Sequence, residues 1–186
     1  RLLSIGRLDA EKGLIYLFRA VEQLVNLDSM DISLQVVGKG YKGEEERKLH
    51  EIAQTGSLKE RIHFSGYIPF GQHLLQLYRE SDVFVLPSLS GEGVPQTIFE
   101  AMACGIPIVA TRVAGIPDVI RHGHNGILIP SGSPEHIASA VKRLCQDDGL
   151  RKHLVENGLA TARHHTRGAE QRKILDRLSL LGEFPS

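Results

Sequence analysis

The sequence predicts a doubly wound α/β domain: a mainly parallel six-stranded sheet with helices on both faces. Three observations carry that expectation. Short apolar runs recur six times along the 186 residues. Longer stretches with helical spacing separate them, and strand–helix alternation of this kind builds a parallel sheet with right-handed crossovers. A composition of 41% hydrophobic and 24% charged residues is that of an ordinary globule.

The chain opens on a strand at residues 2–5, where Leu2, Leu3 and Ile5 are nearly continuous. Residues 14–27 place Leu17, Ala20, Val21 and Leu24 on one stripe, which reads as an amphipathic helix. A second apolar run at 33–37 leads to a helix at 44–54, charged on most faces, with Leu49, Ile52 and Ala53 on the other. The third run, 62–65, precedes a helix at 71–80 carrying Leu74, Leu75, Leu77 and Tyr78. The fourth, 83–86, precedes a mostly apolar and therefore buried helix at 96–103. Runs at 106–110 and 126–129 complete the sheet, and helices follow at 134–145 and 150–163. The Val, Ile and Leu content of the runs suits strands buried on both faces.

Length divided by roughly 150 residues per domain gives one domain, or one with an appendage. A chain of this size can bury roughly 70% of its unfolded surface without a metal or a disulfide. No apolar run reaches membrane-spanning length. The 22 basic and 22 acidic residues cancel, so no general attraction to nucleic acid or anionic lipid follows. The two cysteines, Cys104 and Cys145, lack metal-ligand spacing and read as free thiols in a reducing compartment. The nine histidines are scattered, and no carboxylate or thiol completes a metal set. The start at Arg1 inside an apolar run, with no signal-peptide pattern, reads as one domain excised from a longer protein. Residues 163–177 are locally basic, as a solvated helix face or a helix docking on a missing part of the protein.

Ligands of such sheets sit beyond the C-terminal ends of the strands, so the loops after the runs are the informative ones. After the first run, Arg7 and Lys12 lie five apart in the stretch 6–13. Loop amides with Arg and Lys make an anion site, most simply for phosphate. Taken alone, the stretch reads first as a surface loop in which Arg7 and Lys12 pair with Asp9 and Glu11. After the second run, Gly38–Gly43 matches G-x-G-x-x-G. The dinucleotide fingerprint belongs after the first strand, with an acidic residue ending the next, so a nicotinamide-binding module is the alternative and a plain Gly-rich loop the main reading.

The loop after the fourth run is the most informative. Gly91 and Gly93 permit tight turns and close approach to a ligand. Pro95 fits the first helical position, and the free amides of Gln96 and Thr97 point out of a helix N-terminus that favours negative charge. Glu92 precedes that helix, and Glu100 lies along it among apolar neighbours, where a carboxylate needs a partner. A carboxylate can hold a vicinal diol, so two of them around a phosphate-binding helix tip suit a ligand with sugars on both sides of a phosphate. After the fifth run, residues 111–118 read as a loop and a short helix start. Residues 123–126 read as a turn, with Asn125-Gly126 favouring positive φ, and His122 and His124 as turn and surface residues.

At these residues the chain resembles the group-one retaining glycosyltransferases of GT-B architecture. The resemblance spans residues 2–163 and rests on several motifs in order: Arg7 and Lys12; Val83 to Ser88; Glu92-Gly93-Val94-Pro95 with Glu100 to Thr111; and Asn125 to Ile129. It implies a Rossmann-like, nucleotide-sugar-binding C-terminal domain at 1–164, a helical tail at 165–186, and an N-terminal acceptor domain absent from this chain. It implies that Arg7 and Lys12 neutralise a diphosphate, that Glu92 contacts the transferred sugar, that Gln96 and Thr97 offer backbone N–H groups to the distal phosphate, and that Gly93 belongs to the same donor site. It further implies that Glu100 binds the ribose hydroxyls, that Gly38 leaves space beside the nucleotide, and that Tyr67 and Ile68 lie near the base.

The expected donor is a UDP- or GDP-linked sugar, with no cofactor and no metal. The expected acceptor is a glycan or lipid-linked molecule in polysaccharide biosynthesis. Missing targeting signals and free thiols give a cytoplasmic expectation, either free or at the inner face of a membrane through the absent half. A nucleotide-sugar epimerase of related architecture and a catalytically silent interaction domain are the remaining readings.

Overall fold

The computed structural model describes residues 1–40, 43–91 and 93–165. The expected strands form: β1 Leu2–Ile5, β2 Leu34–Val37, β3 Ile62–Phe64, β4 Val83–Leu86, β5 Ile108–Thr111 and β6 Ile127–Ile129. All pair in parallel, in the order β3-β2-β1-β4-β5-β6. The helices are α1 Leu14–Asn26, α2 Glu44–Ala53, α3 Gln72–Arg79, α4 Gln96–Ala103, α5 Ile116–Val119, α6 Pro134–Gln146 and α7 Asp148–His164. The expected tail at 165–186 lies, beyond His165, outside the described residues.

Side-chain alternation explains the two-faced core. Leu2, Leu34, Val36, Val83, Val85, Val109, Ile127 and Ile129 point to one face, with α1, α2 and α6. Leu3, Val37, Phe84, Leu86, Ile108, Ala110 and Leu128 point to the other, with α3, α4 and α5. A period of two in a strand makes this division automatic once register is set. α1 seats Leu14, Leu17, Phe18, Val21 and Leu24 on the first face, at the spacing that a helix stripe requires.

Two boundaries differ by two residues from the sequence reading, for local chemical reasons. β5 starts at Ile108, after Pro107, whose carbonyl accepts from the Phe84 amide at 3.0 Å but which has no N–H to give to the ladder. α7 starts two residues early because the Asp147 side chain accepts from the Leu150 amide at 2.8 Å, an N-cap.

Chain order reverses between β1 and β4, which are neighbours although two strands intervene in sequence. The loops leaving these two strands therefore diverge to opposite faces and open a crevice at the C-terminal edge of the sheet. Among the described residues, no helix is long and apolar enough to cross a membrane.

Candidate functional site

The crevice is built by loops that lock onto one another. The amides of Gly6 and Leu8 donate to the carbonyls of Val37 and Lys39 at 3.0 and 3.2 Å, so the loop after β1 runs beside the loop after β2. Leu8 is buried and anchors it. A single 3₁₀ turn, Ala10–Lys12, follows and ends on Gly13 at φ 64°. A Cβ on Gly13 would meet the carbonyl of Pro87, and the Leu89 amide donates to the Glu11 carbonyl at 2.7 Å. The loop after β1 and the loop after β4 are thus one packed unit. Thr111, at the end of β5, donates to the Ser88 carbonyl at 2.6 Å. Gly115 approaches so closely that a Cβ there would lie 2.9 Å from the Gly93 carbonyl. Ala114, beside it, takes a positive φ of 44°, a conformation rare outside glycine that the packing around it sustains.

Arg7, Gly38, Tyr67 and Ile68 line one hollow of about 280 Å³, together with Ile5, Gly6, Val37 and Lys39. Tyr67 is 71% exposed at the rim, whereas Ile68 packs against the core beneath. Lys12 lines a separate small cavity, together with Gly6, Arg7 and Pro87. A further hollow of about 320 Å³ adjoins Arg7, with Asp9, Glu11 and Glu45 on its walls.

The surface-loop reading holds in part, because Arg7 pairs with Asp9 at 3.2 Å. Its side chain is 58% exposed, and an exposed pair of this kind contributes roughly 0–1 kcal/mol. An anion can therefore compete for the guanidinium at small cost.

Gly38 needs a revised reason. Its φ is 145° and a Cβ would run into the Gly6 carbonyl oxygen, so the missing side chain first allows two backbones to touch. The G-x-G-x-x-G run does not form a phosphate cradle with its second glycine. The Gly40 amide is already bonded to Glu46 Oε2 at 2.9 Å, tying Gly40 to α2.

The tip of α4 is open. Pro95 is the N-cap residue, with φ −67° and ψ 128°, one position earlier than expected, and its side chain carries no acceptor. Gln96 and Thr97 are the first two helical residues, and the Ile98 amide already bonds Pro95 O at 3.1 Å. Amides at the first positions of a helix have no intrahelical partner, and the helix dipole adds a favourable field for an anion. Gly93 is exposed just before this tip. Glu92 lies outside the described residues.

Glu100 has the partner its setting demands. The hydroxyl of Tyr78 donates to Glu100 Oε2 at 2.7 Å. Tyr78 is completely buried on α3, and burial, then the adjacent carboxylate, raises its hydroxyl well above the ordinary tyrosine range, so it remains a donor. Glu100 does not line the hollow that holds Arg7. The Cys104 thiol, one turn further along, is raised by burial, an effect that Arg79 opposes and Glu100 reinforces. Tyr78 and Ala114 carry no motif signal. Tyr78 reads from sequence only as part of an apolar helix stripe, and nothing local shows that its hydroxyl reaches residue 100.

The turn after α5 is structural, as expected, but the positive φ falls on Gly123 (73°) rather than on Asn125-Gly126. Asn125 is instead buried, accepting from the Arg121 amide and donating to Val119 O and Thr161 Oγ1. His122 Nδ1 accepts from the Leu128 amide at 3.1 Å. Among the described residues, no group of three or more His, Cys, Asp or Glu is arranged to hold a metal.

Comparison with known proteins agrees with this fold. Residues 1–161 match the family model described as glycosyl transferases group 1. A glycosyltransferase of Methanocaldococcus jannaschii is 33% identical over 156 residues, covering 84% of this chain but 38% of its own length. The chain thus spans well under half of that relative. HepE of Anabaena, solved with UDP and with UDP-glucose, superposes with a TM-score of 0.84 at 25% identity, over 96% of this chain and 48% of that one. The C-terminal domain of the group 1 glycosyl transferase LpcC of Francisella tularensis superposes with a TM-score of 0.70 at 26% identity, over 88% of this chain and 85% of that domain.

Proposed function

The chain belongs to the group 1 glycosyl transferases, and from that premise we propose that it is the donor-binding half of a retaining enzyme that moves a sugar from a nucleoside-diphosphate sugar to an acceptor in glycan or polysaccharide biosynthesis. The observation that carries this reading is the fusion of two loops at the switch point. The Arg7–Lys12 loop is bonded through Glu11 to the loop that leads into the open tip of α4. Two cations and a set of helix amides thus share one end of the sheet, the arrangement a pyrophosphate requires. HepE holds UDP and UDP-glucose on the same fold.

In this reading the base lies in the hollow of Val37, Gly38, Tyr67 and Ile68. Glu100 takes the ribose hydroxyls, and Arg7 and Lys12 neutralise the diphosphate. Gly93, Gln96 and Thr97 offer backbone to the distal phosphate, and Glu92 orients the transferred sugar. Breaking the anomeric C–O bond leaves negative charge on the departing diphosphate and positive charge on the sugar ring. Fixed donors aimed at the leaving oxygens lower that barrier with little reorganisation, and a held sugar reacts from a restricted geometry. Retention of configuration follows if the acceptor attacks from the face the diphosphate leaves. The acceptor is held by a part of the enzyme outside this chain.

Lys12→Ala tests the reading. Removing one charged hydrogen-bonding partner of a phosphate weakens UDP or GDP binding about tenfold or more, while uridine or guanosine binding barely changes. Titration calorimetry with both pairs gives the answer, and equal losses for nucleotide and nucleoside would remove Lys12 from the phosphate site.

A further inference from the structure

We propose that Tyr78 is a positioning residue for the donor's ribose: from beneath α4 its hydroxyl fixes the carboxylate of Glu100, and so sets how strongly the site distinguishes ribose from deoxyribose. The inference rests on the assignment of Glu100 to the ribose hydroxyls made above.

The geometry has three parts. The Tyr78 ring is completely buried in the cluster that contains Leu3, Phe84 and Ile98, and it lies 5.9 Å from the Phe84 ring, centroid to centroid. Its hydroxyl therefore has one place to be. That place is 2.7 Å from Glu100 Oε2, the length of a charge-assisted O–H···O⁻ bond. Glu100 itself is half-buried on α4, one turn in from the tip and flanked by buried Ile98, Ala101 and Met102. The bond spans 22 residues of sequence and joins α3 to α4, so it reports packing rather than local turn chemistry.

The consequence is preorganisation. A glutamate left free on a helix surface must surrender side-chain rotamer freedom when it grips a ligand. Here the buried hydroxyl has already fixed it. An ionised carboxylate has about four lone-pair sites, so one bond from Tyr78 leaves capacity for a vicinal diol.

The experiment compares UDP with 2′-deoxy-UDP, and GDP with 2′-deoxy-GDP, on this chain by titration calorimetry. Its readout is the ratio of the two dissociation constants within a pair. The unaltered chain favours the ribonucleotide about tenfold in its preferred pair, as loss of a hydrogen bond to a charged group predicts. Glu100→Gln brings the ratio close to one. Tyr78→Phe keeps the ring and the core volume and lowers the ratio about threefold or more, while Lys12→Ala leaves it unchanged. A merely structural tyrosine would weaken both members equally and not move the ratio. A ratio unmoved by Tyr78→Phe but collapsed by Glu100→Gln would overturn the role of Tyr78 and leave the ribose assignment standing. A ratio unmoved by Glu100→Gln would overturn the assignment itself, and binding of no nucleotide by the unaltered chain would overturn the donor reading with it.

Discussion

Gly38 carries the tightest constraint at the scale of single residues. Its φ of 145° is outside the range that L-residues adopt readily, and a Cβ would collide with the Gly6 carbonyl. The contact is between two backbones, so no side-chain rotation relieves it. Gly38→Ala should destabilise the chain by at least about 2 kcal/mol, as strained backbone and overpacking together imply, and should weaken nucleotide binding because Gly6 leads directly into Arg7. Denaturant melts of the two chains measure the first effect, and an unchanged midpoint would contradict the close approach. Arg7 and Glu100 show the opposite situation, in which a charged side chain is held by a neighbour yet remains available. Arg7 is paired with Asp9 in an exposed setting, where displacement is cheap. Glu100 is held by a buried donor, which orients it without neutralising it.

At the scale of elements, what matters is how each helix begins. α4 starts on Pro95, a residue that cannot cap with its side chain, and so leaves its first amides without a side-chain cap. α7 starts on Asp147, which does cap, by accepting from Leu150. The two beginnings suit different purposes: an uncapped helix tip is a place for an anion, whereas a capped one is finished. Asp147→Ala should therefore lower stability by about 1 kcal/mol, or about 2–4 °C in Tm for a chain of this size, and leave nucleotide affinity unchanged. Calorimetric melts in the absence and presence of UDP or GDP check both halves. Loss of affinity would mean that α7 couples to the site, through its contact with α4, more strongly than the geometry indicates.

At the scale of the whole molecule, the strand order 3-2-1-4-5-6 brings the informative loops to one edge and separates them from the opposite end of the sheet. The chain covers 38% of its Methanocaldococcus relative, and the proposed acceptor site lies on other parts of such an enzyme. On that reading this chain alone binds donor and transfers no sugar at a useful rate. A chromatographic assay for sugar transfer from UDP- or GDP-sugars to glycan acceptors tests this, and turnover by the isolated chain would refute it. The kinds and sequence of elements and their buried faces are legible in the linear chain, because periods of 2 and 3.6 residues are local properties. The boundary errors at Pro107 and Asp147 were local too, and followed from one missing donor and one extra acceptor. The order of strands, the seating of Gly38 against Gly6, the joining of the Glu11 and Leu89 loops, and the reach of Tyr78 to Glu100 were decided only in three dimensions. Each of these depends on which distant segments become neighbours, and that is set by the packing of the sheet's two faces as a whole rather than by any stretch of sequence read alone.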